Sequence, residues 1–145
     1  MVTLKKQFCG KSGLRKSIMA IKRDQADIWC SKAVRLRDGH CLRCGNTETL
    51  QAMHLVGRRN KVTRYSLDNL LTGCAACHRW LTENPIEAYH WYEMVLGSGH
   101  MEILREKSRG ILKTNEKLRK EIAAHYREEF RKKEKNPDHT IVSWN

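Results

Sequence analysis

No apolar run in this chain of 145 residues approaches the roughly 20 residues that cross a bilayer, which excludes a membrane span. Acidic residues are scarce beside basic ones: 28 Lys and Arg stand against 16 Asp and Glu, a formal net charge of +12. Before Asp24 there is no acidic residue at all, while Lys5, Lys6, Lys11, Arg15, Lys16, Lys22 and Arg23 are present. A sequence pI of about 9.7 makes polyanions the expected partners, with the N-terminal segment read either as an arm that neutralises phosphates or as a solvated tail. Aromatic content is only 7 % and falls mostly in expected helices, unlike a single-strand stacking platform. Hydrophobic content of 40 % is modest for a self-sufficient core, so one small domain with extensions is expected, supplemented by metal. No secretory leader is read, and four of the six cysteines have metal-ligand spacing. A reducing cytoplasm is therefore expected rather than a disulfide framework.

Those four are Cys41, Cys44, Cys74 and Cys77, two C-x₂-C pairs. Each pair aims two sulfurs at one point, and zinc takes four soft ligands in a closed tetrahedron. Such a site has no open position for water or phosphate. The cysteines alone fit a knuckle that does nothing but hold two loops together, so any chemistry must come from the residues between and beside them. Those include His54, Asn69 and His78. Cys9 is expected to be an exposed thiol and Cys30 a helix packing residue.

Residues 1–16 carry glycines and charge without periodicity and read as a flexible basic arm. A helix is expected over 17–37, where Ile18, Ile21, Ile28, Trp29, Ala33 and Leu36 recur at helical spacing until Asp38-Gly39; its stripe is expected to pack on the zinc module. Glu48 to Leu55 reads as a strand, Gly57 to Asn60 as a loop, Leu67 to Thr72 as the returning strand, and Cys77 to Glu83 as a short helix. Pro85 opens another helix that ends near Gly97. A short apolar stretch, Met101 to Leu104, precedes Gly110. A last helix runs from Thr114 to Lys135 with Leu118, Ile122, Tyr126 and Phe130 on one stripe, which docks on the core or on a partner. In domain terms this gives the arm, the helix, a core over 38–96, a helical extension over 97–135 and a tail over 136–145.

His54 in "AMHLVGRR", Asn69 in "SLDNLLTGC" and His78 in "CAACHRW", in that order between and beside the cysteine pairs, resemble the signature of HNH endonucleases. The continuation "CHRWLTENPIEAYHW", the "GSGHMEIL" segment and the long basic helix are similar, more narrowly, to phage NinG-like (Rap) recombination nucleases. The resemblance implies a small α+β zinc-stapled ββα-metal core with flanking helices, and a metal-dependent DNA endonuclease acting on branched or recombination-intermediate DNA. It also implies a homodimer, with the last helix as interface, a host recombinase as partner, and the host cytoplasm as location if the chain is phage-encoded.

Residue chemistry gives the roles. His54 is the candidate base, since a neutral imidazole titrates near physiological pH. His78 is the candidate ligand of a catalytic Mg²⁺ or Mn²⁺. Asn69 is expected to orient the His54 ring or to pin the loop, and Arg58, Arg59, Lys61 and Arg64 to line the phosphate path. Two positions depart from the family pattern. Met53 stands where many relatives carry an acid or a histidine, and Thr82 where some carry a second histidine. A thioether is a poor ligand for a hard cation. The remaining ligands are therefore open among His54, Gln51, Asp38, Asp68, Glu83, substrate oxygens and water. A non-catalytic zinc module that binds nucleic acid and assists phage recombination is the alternative; a structural zinc protein of a ribonucleoprotein leaves the His54, Asn69, His78 order unexplained. His40, His90, His100, His125 and His139 carry no assigned role.

Overall fold

Asp24 starts the first helix by accepting from the backbone N–H of Asp27 at 2.8 Å, while the Asp27 carboxylate accepts from the backbone N–H of Asp24 at 3.0 Å. This reciprocal capping box sets the start of α1 (Gln25–Asp38), which closes at Gly39 in the left-handed conformation (φ 72°) with its N–H on the Arg35 carbonyl. The computed structural model describes residues 22–145. The helix expected from residue 17 thus begins at Gln25, because the two aspartates satisfy the first free N–H groups there. The arm of 1–16, with Cys9, and residues 17–21 lie outside the described residues.

The chain then forms β1 (Leu50–His54), a single 3₁₀ turn (Leu67–Asn69) and β2 (Leu70–Cys74), followed by α2 (Ala75–Glu83), α3 (Pro85–Leu96), α4 (Ser98–Ser108) and α5 (Glu116–Lys135). Among the described residues this is a mixed α+β arrangement of five helices and a two-stranded antiparallel sheet. The register pairs Leu50 with Cys74 and His54 with Leu70. The stretch around Met101 is longer than its apolar run: α4 spans 11 residues.

Two apolar clusters lie on either side of the sheet. Leu70 joins Ala26, Cys30, Ala33 and Val34 of α1, Ile122, Ala123 and Tyr126 of α5, and Tyr65. Leu71, next in β2 and so on the other face, joins Met53, Leu81 and Ala88, with Trp80, Trp91 and Tyr92 against them. The buried face of α1 consists of small residues, which lets α5 approach closely. Its main neighbour is therefore α5, with the sheet second, rather than the cysteine module. Cys30 packs in this core, with its thiol near the Tyr65 carbonyl.

The stripe of α5 is shut inside: Ile122 and Tyr126 are fully buried. Of the two dockings expected for the last helix, on the core or on a partner, its apolar stripe takes the core against α1. The residues after it fold back. Glu129, buried within α5, accepts from His139 Nε2 at 2.8 Å and from the Val142 backbone N–H at 3.0 Å. Ile141 enters the α1–α5 cluster, Ser143 accepts from the Leu67 backbone N–H at 3.1 Å, and Asn145 donates to the Val62 carbonyl at 3.0 Å.

Burial pushes the Glu129 carboxyl up, but the bonds from Lys132, Val142 and His139 outweigh it and bring the group down to about 2. A folded-state value below the usual 4.5 means that the stabilisation is fully present above pH 4.5 and is lost as pH falls toward 2. Glu129→Gln is expected to lower unfolding free energy by about 2 kcal/mol at pH 7 and to flatten the acid limb of stability between those values. Urea melts of both proteins from pH 7 to pH 3 check this, and parallel acid limbs would contradict it.

Candidate metal centre and histidine site

Cys41 follows directly on the end of α1, and its N–H donates to the Asn46 carbonyl at 2.7 Å while its carbonyl accepts from Gly45 N–H at 2.8 Å. Gly45 has φ +79°, the backbone conformation that the tight turn under Cys41 and Cys44 requires. The second pair lies at the junction of β2 and α2, where Cys74 caps the helix that carries Cys77. The four sulfurs all lie within 4.8 Å of one another, and Cys44 and Cys74 are 3.7 Å apart. A tetrahedron with Zn–S bonds of about 2.3 Å has edges of about 3.8 Å, so the cluster fits a metal ion such as zinc. Arg43 donates to the Cys77 sulfur at 3.5 Å with its guanidinium 3.8 Å over the Trp80 ring. That places a positive charge beside ligands which, as four thiolates on Zn²⁺, carry a net double negative charge.

His54 closes β1. Its Nε2 lies 3.0 Å from the Arg64 carbonyl, and a carbonyl oxygen only accepts, so Nε2 carries the proton and Nδ1 the lone pair. Burial pushes the imidazole down to about 4, with the Arg64 carbonyl and Asp27 carboxylate pulling the other way; it is neutral at physiological pH. His78, in the first turn of α2, places Nδ1 2.7 Å from Gln51 Oε1. By the same reasoning Nδ1 is the donor and Nε2 keeps the lone pair. Gln51, one of the groups left open as a ligand, orients the His78 ring here.

Asn69 is fully buried. Its Oδ1 accepts from the Val56 N–H at 2.6 Å, and its Nδ2 donates to the carbonyls of Val56 at 2.8 Å and Thr63 at 3.1 Å. Of the two expected tasks it performs the second: it pins the loop and makes no hydrogen bond to the His54 ring. Arg64, expected on the phosphate path, lines the histidine cleft but is engaged within the protein. Its guanidinium is held by Asp27 at 2.9 and 2.5 Å, and only 12 % of its side chain is exposed. The Asp27 carboxylate and the fork of Arg64 match as a bidentate pair, which the sequence separation of the two residues concealed.

The two histidines share a cleft of about 460 Å³ with Arg23, Arg35, Arg58 and Gln51. Arg58, one of the four basic residues expected on a phosphate path, lines this cleft. Arg59 and Lys61 are exposed on the same loop but do not line this cleft. Arg23 belongs to the basic segment before Asp24, whereas Arg35 is not marked by any motif; it sits on the α1 turn that faces β1, a position visible only once helix and sheet are packed. Met53 is buried, and a Cβ added at Gly73 would lie 2.3 Å from its sulfur. Its thioether fills the gap over that glycine. Of the acids left open as ligands, Asp38 is bonded to Arg37 and to the Thr72 N–H, and Asp68 faces Lys107 at 3.5 Å. Among the described residues, the four cysteines are the one group of three or more His, Cys, Asp or Glu side chains gathered as ligands. Among the described residues, no helix is long and apolar enough to cross a membrane.

Comparisons with family models, with curated proteins and with solved structures find no match.

The sulfur geometry leads to a direct expectation. The purified chain should carry one zinc by native mass spectrometry, and a strong chelator should lower its melting temperature sharply, since structural zinc contributes on the order of 10 kcal/mol of apparent binding free energy. Superimposable melting curves with and without chelator would remove the metal from the fold.

Proposed function

We propose that this chain is a zinc-stapled DNA endonuclease of HNH type that hydrolyses phosphodiester bonds, with branched or recombination-intermediate DNA as its substrate class. The observation that carries the reading is the histidine pair. His54 and His78 each have one ring nitrogen tied to an internal acceptor, and both line one cleft with Arg23, Arg35 and Arg58. Two imidazoles fixed in opposite tautomers beside three guanidinium groups suit proton transfer next to a phosphate.

In this mechanism the arginines hold the backbone so that water lies in line with the P–O bond to be broken. Nδ1 of His54 accepts a proton from that water as its oxygen bonds to phosphorus. The bond on the far side breaks, and the leaving oxygen takes its proton from solvent. Arg64 and Asn69 act at one remove: the Arg64 carbonyl keeps the imidazole in the required tautomer, and Asn69 keeps the loop that carries that carbonyl in place.

A divalent cation, Mg²⁺ or Mn²⁺, would offset charge on the phosphate and leaving oxygen. Nε2 of His78 is the group that would hold it. One imidazole is a sparse ligand set for such a hard ion, so phosphate oxygens and water would have to complete the shell. The zinc, held by four sulfurs with no open position, would serve the fold alone.

A second reading, a zinc module that binds nucleic acid without cutting it, is favoured by Met53 and Thr82. The first is sealed in the core, and the second spends its hydroxyl on the His78 carbonyl at 2.8 Å. The two readings separate in one assay. Zinc-loaded protein with Mg²⁺ or Mn²⁺ is offered end-labelled linear duplex, single-strand, flap and four-way-junction DNA, beside His54→Ala. The nuclease reading expects cation-dependent cutting, strongest on branched DNA, that falls by roughly 10² or more in the variant. Full activity in His54→Ala would sink the assignment of the base, and binding without cutting under every cation would select the zinc module.

A further inference from the structure

A second cleft, of about 600 Å³, runs between α2, α3 and α4, with Leu55, Leu81, Ala88, Tyr89, Tyr92 and Met101 in its walls. It shares His54, Gly57 and His78 with the arginine-lined cleft. The two therefore meet at the histidine pair, one basic and the other largely apolar. We propose that the apolar cleft receives an unpaired nucleobase adjoining the phosphate that is cut, so that the substrate is DNA with an unstacked nucleotide at the cleavage position rather than continuous duplex. This rests on the nuclease reading and names the feature of DNA that the site selects.

Three observations carry it. The first is continuity: the clefts join at His54 and His78, so a nucleotide whose phosphate lies among the arginines has its base within reach of the second cleft. The second is the division of charge. Arg23, Arg35 and Arg58 line the first cleft beside the mutually paired Arg64 and Asp27, whereas the charged residues of the second are Glu93, Glu102 and Arg105. Phosphate is favoured in one and a neutral ring in the other. The two carboxylates are acceptors of the kind that exocyclic amines of bases can meet. The third is shape. A base inside duplex is stacked on both faces and cannot enter a cleft walled by three helices, while an unpaired base offers its π-faces to Tyr89 and Tyr92.

A protein partner fits the cleft less well. The large apolar side chains most exposed on these helices are Ile86, Met94 and Ile103, at 70 %, 77 % and 68 % exposure. None of them lines the cleft, so a partner drawn by them would sit elsewhere on α3 and α4.

The test separates binding from cutting by using the full zinc-loaded chain with His54→Ala. Three duplexes are compared: one fully paired, one with a single unpaired 2-aminopurine, and one with an abasic site at that same position. The unpaired base is expected to bind ~10-fold more tightly than the abasic site, with its fluorescence quenched on binding. Tyr89→Ala, at a half-exposed position, should bring that ratio close to one, and Tyr89→Phe should restore it. Equal affinity for base and abasic site, or a ratio that Tyr89→Ala does not change, would overturn the proposal. A dimer that Tyr89→Ala dissociates would also overturn it by giving the cleft to a second copy. Base preference without cutting by the unsubstituted protein would overturn the nuclease reading while leaving the base cleft standing; cutting without base preference would do the reverse.

Discussion

One buried carboxylate, Asp27, ties the helical half of the molecule to the histidine site. It caps α1 from within the first turn and takes both bonds from Arg64. Burial pushes its pKa up, yet the Arg64 side chain and the Asp24 N–H hold it below the usual carboxylate range. A buried pair of this kind is a constraint more than a source of net stability, since removing either partner strands the other charge at a cost of about 3–5 kcal/mol. Because the Arg64 side chain is fixed to α1, its carbonyl is fixed too, and that carbonyl sets the His54 tautomer. The Tyr65 hydroxyl, next in sequence, donates to Asp24 at 2.7 Å, which binds the same loop to the same helix start.

The loop between the strands is thus held from two directions. Asp27 grips it at Arg64, and the Asn69 amide grips it at Val56 and Thr63. Neither grip involves the cysteine cluster, which instead joins the end of α1 to the β2–α2 junction. The cysteine cluster and the loop clamp are separate devices, each holding one side of the small sheet that carries His54.

How much of this was legible in the sequence varied with how local the cause was. The cysteine pairs stand out because ligand spacing is a local property, and they do converge. The strands, the short helix before Asn84-Pro85 and the long last helix follow from periodicity and caps, with ends displaced by a few residues. The start of α1 was misplaced because isoleucine spacing was weighed above the Asp24–Asp27 box. The Arg64 side chain gives no sign in the basic loop of its partner Asp27, 37 positions away. Arg35 went unnoticed for the converse reason, its role depending on which way a helix face turns. The segment after Pro137 reads as a plain tail, yet it is anchored by Glu129 and by His125 and His139, two histidines that no motif marks.

The pairing of α1 with α5 joins elements far apart in the chain, whereas the strands, α2 and the cysteine cluster are close together in it. Contacts at short separation close quickly, while those that span a chain carry a larger loop-closure cost and form late. The α1–α5 clasp and the cysteine cluster therefore carry unequal closure costs, with Leu70 of β2 packed into the same core as the clasp. Local opening of the helix clasp would loosen Asp27, release the Arg64 loop and unseat His54 while the cysteine cluster stayed assembled. The cysteine cluster can thus stay assembled while His54 loses the carbonyl that fixes its ring.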